Sequence, residues 1–329
     1  MKKTLLTMMI AGAVSMTGAA VADPAIQFDA GGKFDKSFNQ SAYEGAERWK
    51  AESGGSYAEV ELTTEGARAQ NVTRLAQRGG DPVVVVGFMN EGPLNEVAPE
   101  FPDTNFAIID MVVDQPNVRS VVFKEHEGSF LVGALAALKS ETGTVSFVGG
   151  MDIPLIRRFA CGFKQGALAV NPDAKVIENM TGTTPAAWND PAKGGELARA
   201  QFEQGSDVVF AAAGGTGTGV YQAAVDEGKY AIGVDSNQNY MHPGTMLTSM
   251  VKRVDEAVYG AFKDGTEGNF SYGIQALGLA EGGVDWALDE HNAELVTPAM
   301  VKTIERLRTD IIMGEIEVHD YMSDNACNV

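Results

Sequence analysis

Residues 208–235 read VVFAAAGGTGTGVYQAAVDEGKYAIGVD, and this stretch decides the fold class. Val208 to Ala212 is a short run that is apolar on both faces, as expected of a strand covered on two sides. Gly214-Gly215-Thr216-Gly217-Thr218-Gly219 then turns the chain, and Gly217 to Glu227 spaces its apolar residues as a helix does. Ala231 to Val234 is apolar again and ends on Asp235. A strand, a tight turn, a helix and a second strand form a βαβ unit, which implies a parallel sheet with right-handed crossovers.

The same alternation runs outward in both directions. Ala25 to Phe28, Ala58 to Leu62, Val83 to Val86, Phe106 to Ile109, Val118 to Phe123, Val145 to Val148, Lys175 to Glu178 and Met246 to Ser249 read as further strands. Ser41 to Ser53, Gly66 to Gly79, Ser129 to Ser140, Ile153 to Val170 and Pro191 to Gln204 read as helices, several ending at glycine. This many strands strain a single sheet, and the pattern restarts near Glu125. The expected class is therefore α/β, with two doubly wound lobes and a ligand cleft between them. Nothing resembles a Pro/Ser linker, so close strand crossings should join the lobes. The first lobe is expected over 23–124 plus about 250–280 and the second over 125–249 plus about 281–329, with Met246 to Phe262 read as a strand and helix returning to the first lobe.

Composition narrows the function. The 329 residues carry 25 Lys and Arg against 44 Asp and Glu, a net charge of −19 that disfavours nucleic acid and anionic membranes. Lys2 and Lys3, an apolar run from Leu5 to Val14 and Ala20-Val21-Ala22 form an export signal over 1–22, with cleavage expected before Asp23. No cysteine lies near that site to accept a lipid, so a soluble periplasmic product is expected. Cys161 and Cys327 are the two cysteines, and an oxidising compartment permits a bridge between them; two buried free thiols are the alternative. C-x-x-C and Cys/His clusters are absent from the sequence, so no metal or cofactor is expected.

In open α/β sheets ligands bind beyond the carboxyl ends of strands, and two facing lobes aim both sets of ends at one cleft. The first strand leads into Asp29-Ala30-Gly31-Gly32-Lys33-Phe34-Asp35-Lys36-Ser37-Phe38-Asn39-Gln40, where Ser37 or Asn39 is positioned to cap the following helix and Asp29, Phe38 and Asn39 offer a carboxylate, a ring and an amide. Phe88 follows the third strand and Asp110 the fourth. In the second half, Trp188 sits in a polar loop, Gly214 and Gly215 offer close backbone approach, and Asp235 and Lys252 follow strands. The glycine run lacks both G-x-x-x-x-G-K-[ST] and G-x-G-x-x-G spacing, which points to a neutral ligand. Aromatics to stack a flat base, with carboxylates and amides for base and sugar, form a nucleoside-like set.

These residues carry a family resemblance. Asp35-Lys36-Ser37-Phe38-Asn39-Gln40, Phe106-Ala107-Ile108-Ile109-Asp110, Glu127-Gly128-Ser129-Phe130-Leu131-Val132-Gly133, Gly162-Phe163, Ile232-Gly233-Val234-Asp235 and Thr248-Ser249-Met250-Val251-Lys252 resemble the basic membrane protein family of ABC-transporter solute-binding proteins, similar to the purine nucleoside receptor A type. The resemblance implies a type I periplasmic-binding fold and an importer that takes up a purine nucleoside. It implies that Phe38 and Trp188 stack on the purine, that Asn39 and Asp110 bind its edge, and that Asp235 and Lys252 bind the ribose near Gly214 and Gly215. Partners would be the small molecule and a cognate inner-membrane permease, with the protein a monomer. Family members often carry Phe where Trp188 stands, and many are lipoproteins.

Three rival readings are weaker. His126, His242, His291 and His319 lie in unrelated contexts, and neither G-x-S-x-G nor H-E-x-x-H occurs, so an enzyme is not expected. His126 reads as a solvated residue near a lobe crossing. A repressor on the same lobes needs a helix-turn-helix in front, where the export signal sits. A binder of sugars or other small polar ligands stays open, because aromatics also stack on pyranose faces.

Overall fold

The computed structural model describes residues 22–327 and 329, so the export signal read over 1–22 lies outside the described residues save for Ala22. Strands β1 (Ala25–Gln27), β2 (Ala58–Val60), β3 (Val83–Val86), β4 (Phe106–Ile109) and β5 (Val118–Phe123) alternate with helices α1 (Phe38–Ser53), α2 (Arg68–Gln77) and α3 (Glu91–Val97). Then follow α4 (Glu125–Lys139), β6 (Thr144–Met151), α5 (Pro154–Val170), β7 (Lys175–Gly182), α6 (Pro191–Glu203), β8 (Val208–Ala212), α7 (Gly217–Asp226), β9 (Tyr230–Asp235) and β10 (Met246–Lys252). The chain ends through α8 (Val254–Thr266), β11 (Gly273–Leu277), β12 (Val284–Trp286) and α9 (Pro298–Ile312).

Two six-stranded sheets result, in the orders β11-β5-β4-β3-β1-β2 and β12-β10-β9-β8-β6-β7. All neighbours are parallel except β10 and β12. The strands are nearly continuous in Val, Ile and Phe because helices cover both faces. Val83–Val86, Phe106–Ile109 and Val208–Phe210 are wholly buried, each large side chain contributing ~1.5–3 kcal/mol.

The reading of Met246 to Phe262 needs one correction. The helix α8 does return to the first lobe, where it packs on α1 so closely that a Cβ on Gly45 would fall 2.1 Å from the Asp255 carbonyl oxygen. The strand does not return. Met246, Leu247 and Met250 are fully buried in the second lobe, and β10 pairs with β9 there.

The chain crosses between sheets three times: from β5 into α4, from β10 into α8, and from β11 to β12. The crossings lie side by side, with the Lys124 amide donating to Leu277 O at 2.9 Å and the Arg253 amide to Gly283 O at 2.8 Å. Beside them α4 and α5 touch backbone to backbone. A Cβ on Gly133 would lie 2.0 Å from Phe163 O, and one on Gly166 would lie 1.8 Å from Phe130 O. Cys161 on α5 and Cys327 in the C-terminal tail form a disulfide with their Cα atoms 5.5 Å apart. Gln165 and His319 tie the same tail down through paired bonds of 2.9 and 2.8 Å.

Candidate functional site

Residues beyond the carboxyl ends of strands in both sheets converge on one cavity between the lobes, about 570 Å³ counting its open mouth. The first lobe contributes Asp29 after β1, Phe88 after β3 and Asp110 after β4; the second contributes Gly214 after β8, Asp235 ending β9 and Lys252 ending β10. Phe38, opening α1, and Trp188, in the short turn Pro185–Trp188, complete the lining residues expected from sequence.

The first-lobe loop is shaped around its carboxylates. Asp29 Oδ1 accepts from Arg68 Nη1 at 2.7 Å, and Arg68 is only 4% exposed. Burial raises the Asp29 carboxyl, with Arg68 opposing it. Gly87 leaves it room: at φ 99° a side chain there is strained, and its Cβ would collide with the Asp29 carboxylate. Asp35 caps α1 from outside the helix, taking the amides of Ser37, Asn39 and Gln40 at 2.8, 3.0 and 3.1 Å. This corrects the expectation that Ser37 or Asn39 would cap it. Ser37 Oγ instead donates to Asp235 Oδ2 in the other lobe, beside a bond of 2.8 Å from Gln238 Nε2 to Lys36 O. The lobes are therefore closed on each other at this loop.

The centre of the cavity is ionic. Lys252 Nζ lies 2.6 Å from Asp110 Oδ2 and 2.9 Å from Glu125 Oε1, with the rings of Phe38, Phe123 and Phe159 5.0 to 5.6 Å away. Burial would neutralise this lysine, but Asp110, Glu125 and Asp235 hold it protonated, above the usual lysine range. Burial pushes Asp110 up to about 7; Lys252 opposes this and Glu125 adds to it. Burial pushes Asp235 up to about 6, against the pull of Lys252 and the Ser37 hydroxyl. Asp110 (φ 72°) and Asp235 (φ 63°) both sit in the left-handed region, at a cost of ~1–2 kcal/mol each. Such local strain aims both carboxylates off their strands and into the cavity.

The sequence missed part of the wall. Leu155, Ile156 and Phe159, from the first turns of α5, line it together with Asp35, Ala212 and Val234. They follow β6, so the strand-end argument reaches them; they pass as helix core because the run is apolar. Asn39 and Gly215 lie outside the lining. The Asn39 amide is engaged with its own loop, Oδ1 accepting from the Asp29 amide at 2.8 Å and Nδ2 donating to Ala30 O at 3.2 Å. Asp110 and Asp235 both lie in the field of the one Lys252 ammonium. His126 is buried rather than solvated, at 7% exposure. Among the described residues, the cluster close enough to hold a metal is Asp289, Glu290 and His291, outside the cavity lining. Asp289 is already engaged by Asn237, Asn239 and the His291 amide.

Two parallel α/β lobes that close on a cavity at their strand ends define a solute-binding protein of the type I periplasmic fold. A solved structure described as ABC transporter system solute-binding proteins from Aeropyrum pernix K1 superposes with a TM-score of 0.82 at 30% identity, covering 90% of this chain and 92% of that one. The family model described as "ABC transporter substrate-binding protein PnrA-like" matches residues 24–321. The chain is 33% identical to the ABC transporter nucleoside-binding protein BmpA of Lactococcus lactis over 89% of its own length and 88% of that protein's. It is 38% identical to an uncharacterized lipoprotein of Pyrococcus horikoshii over 80% of its length and 69% of the relative's. The chain belongs to the Bmp family of ABC transporter substrate-binding proteins. No helix among the described residues is long and apolar enough to cross a membrane.

Proposed function

We propose that this protein captures a purine nucleoside between its lobes, without turning it over, and hands it to a membrane permease. The observation that carries the reading is the composition of one buried cavity: the aromatics Phe38 and Trp188 with a lysine held among carboxylates. Two aromatic faces suit a flat base, each stacked base being worth ~1–3 kcal/mol. An ammonium flanked by acceptors suits a vicinal diol, whose hydroxyls both donate and accept. We assign the ribose to Asp110, Asp235 and Lys252 near Gly214, and the base edge to Asp29. The printed name of the Lactococcus lactis relative, a nucleoside-binding protein, supports this choice. The cavity's carboxylates outnumber its cations, which disfavours phosphorylated ligands. The export signal read over 1–22 supports a protein working in the periplasm.

A thermal-shift panel tests the reading. Guanosine, inosine or adenosine should raise the melting temperature, as any ligand specific to the folded state does. Stabilisation by ribose or glucose with none by nucleosides would replace it with a sugar-binding function.

A further inference from the structure

A continuous chain of charges runs from the cavity to the C-terminal tail. Asp110 meets Lys252, and Lys252 meets Glu125. Glu125 Oε2 accepts from Arg158 Nη1 at 2.9 Å, and Arg158 clasps both oxygens of Asp320 at 2.8 Å. Arg158 Nη1 also donates to Phe123 O at 2.8 Å, at the crossing from β5 into α4. Asp320 belongs to the tail that the Cys161–Cys327 disulfide pins to α5. Neither Glu125, buried at 0% exposure, nor Arg158 lines the cavity.

We infer that Glu125 and Arg158 are positioning residues of the ligand site, fixing Lys252 beside Asp110 and setting the charge that Asp110 presents to a ligand. Stability alone does not call for them, because apolar residues of similar volume commonly stabilise a protein as well as buried ions do. Their geometry has a consequence in the cavity. Lys252 is divided between two carboxylates, and Asp110 Oδ1 is left buried with no partner in the protein. A buried acceptor without a donor is costly unless something supplies one. A ligand hydroxyl or N–H is the natural donor. Without Glu125 the ammonium would belong to Asp110 alone and quench the charge meant for the ligand.

The groups facing Asp110 are Lys252 from β10, Glu125 from α4 and Asp235 from β9. Arg158 from α5 faces Glu125, and Asp320 faces both Arg158 and His126. The signs follow. Loss of Glu125's negative charge stabilises ionised Asp110, whereas loss of Arg158's positive charge leaves Glu125 uncompensated and raises Asp110.

The inference rests on the cavity being the ligand site but not on the ligand being a nucleoside. Carboxyl ¹³C titration of Asp110 in ligand-free protein tests it, with calorimetric guanosine affinity measured against pH alongside. E125Q should move the Asp110 midpoint down by roughly one unit and R158Q should move it up. If R158Q does not fold, D320N should give a smaller downward shift. The midpoint of the guanosine affinity profile should move with the carboxyl midpoint. Unmoved midpoints, or displacement in the same direction by E125Q and R158Q, would overturn the inference. If guanosine binds no form of the protein, the nucleoside reading fails while the carboxyl midpoints still decide this point.

Discussion

Lys252, the last residue of the second sheet's β10, places its ammonium 2.6 Å from Asp110, the residue that follows β4 of the first sheet. One ion pair thus spans the two lobes at the floor of the cavity, with the lysine 2% exposed. Removing the cation leaves Asp110 an uncompensated buried carboxylate and Glu125 with Arg158 as its remaining partner. Lys252→Met should therefore cost about 3–5 kcal/mol at neutral pH, read from urea unfolding. Much of that loss should return in acid, where Asp110 is protonated. A loss independent of pH would mean that the lysine matters for packing rather than for charge.

Trp188 depends on the absence of a side chain opposite it. The site where a Cβ on Gly150 would stand is 2.1 Å from Cζ3 of the indole. Gly150→Ala should displace the ring and weaken nucleoside binding at least as much as losing one stacking face, about 1–3 kcal/mol or roughly 5- to 150-fold. Calorimetry reads the loss directly. Unchanged affinity would remove Trp188 from the binding role.

Much of the fold was legible, and the reasons are specific. Val83–Val86 and Val208–Ala212 announce covered strands because four or five apolar residues in succession suit a sheet buried on both faces. The strands that escaped lack that signal. Gly273–Leu277 is half exposed at a sheet edge, and Val284–Trp286 has three residues. In the site, the strand-end argument found Asp29, Asp110, Asp235 and Lys252, because topology alone directs them to the cleft. It could not find Glu125 and Arg158, which act from behind the wall. Asn39, which lies outside the lining, is ambiguous in sequence for a local reason: an amide next to a helix start reads equally well as ligand contact and as loop brace.

Asp235 should set a conflict between stability and binding. Its folded value near 6 lies above the ordinary 3.8, so between these the native state holds more protons than the unfolded chain, and its contribution to stability is lost as pH rises. Asp235→Asn escapes that loss. The ligand-free variant should be the more stable form above pH 6, by on the order of 3 kcal/mol, with the gain vanishing below about pH 4. Its nucleoside affinity should fall. Denaturant midpoints across pH check the first statement, and equal stability of the two forms at pH 8 would contradict it.

The disulfide closes a loop with a sequence separation of 166 residues. The chain-entropy limit for so long a loop is about 5 kcal/mol, and measured effects are commonly ~2–4. Replacing Cys161 and Cys327 by Ala should lower stability by an amount in that range, as read from urea unfolding. Because the tail carries Asp320 to Arg158, the double variant should also shift the pH profile of binding. Retention of the parental urea midpoint would show that other contacts fix the tail.

Native mass spectrometry of the purified protein titrated with inosine, guanosine, ribose and the corresponding 5′-monophosphates tests the central claim most directly. The account predicts one nucleoside bound per chain, displaced in competition by neither ribose nor a monophosphate, and recovered intact on denaturation. A nucleotide or free ribose bound in preference to every nucleoside, or release of the base and sugar as separate products, would contradict it.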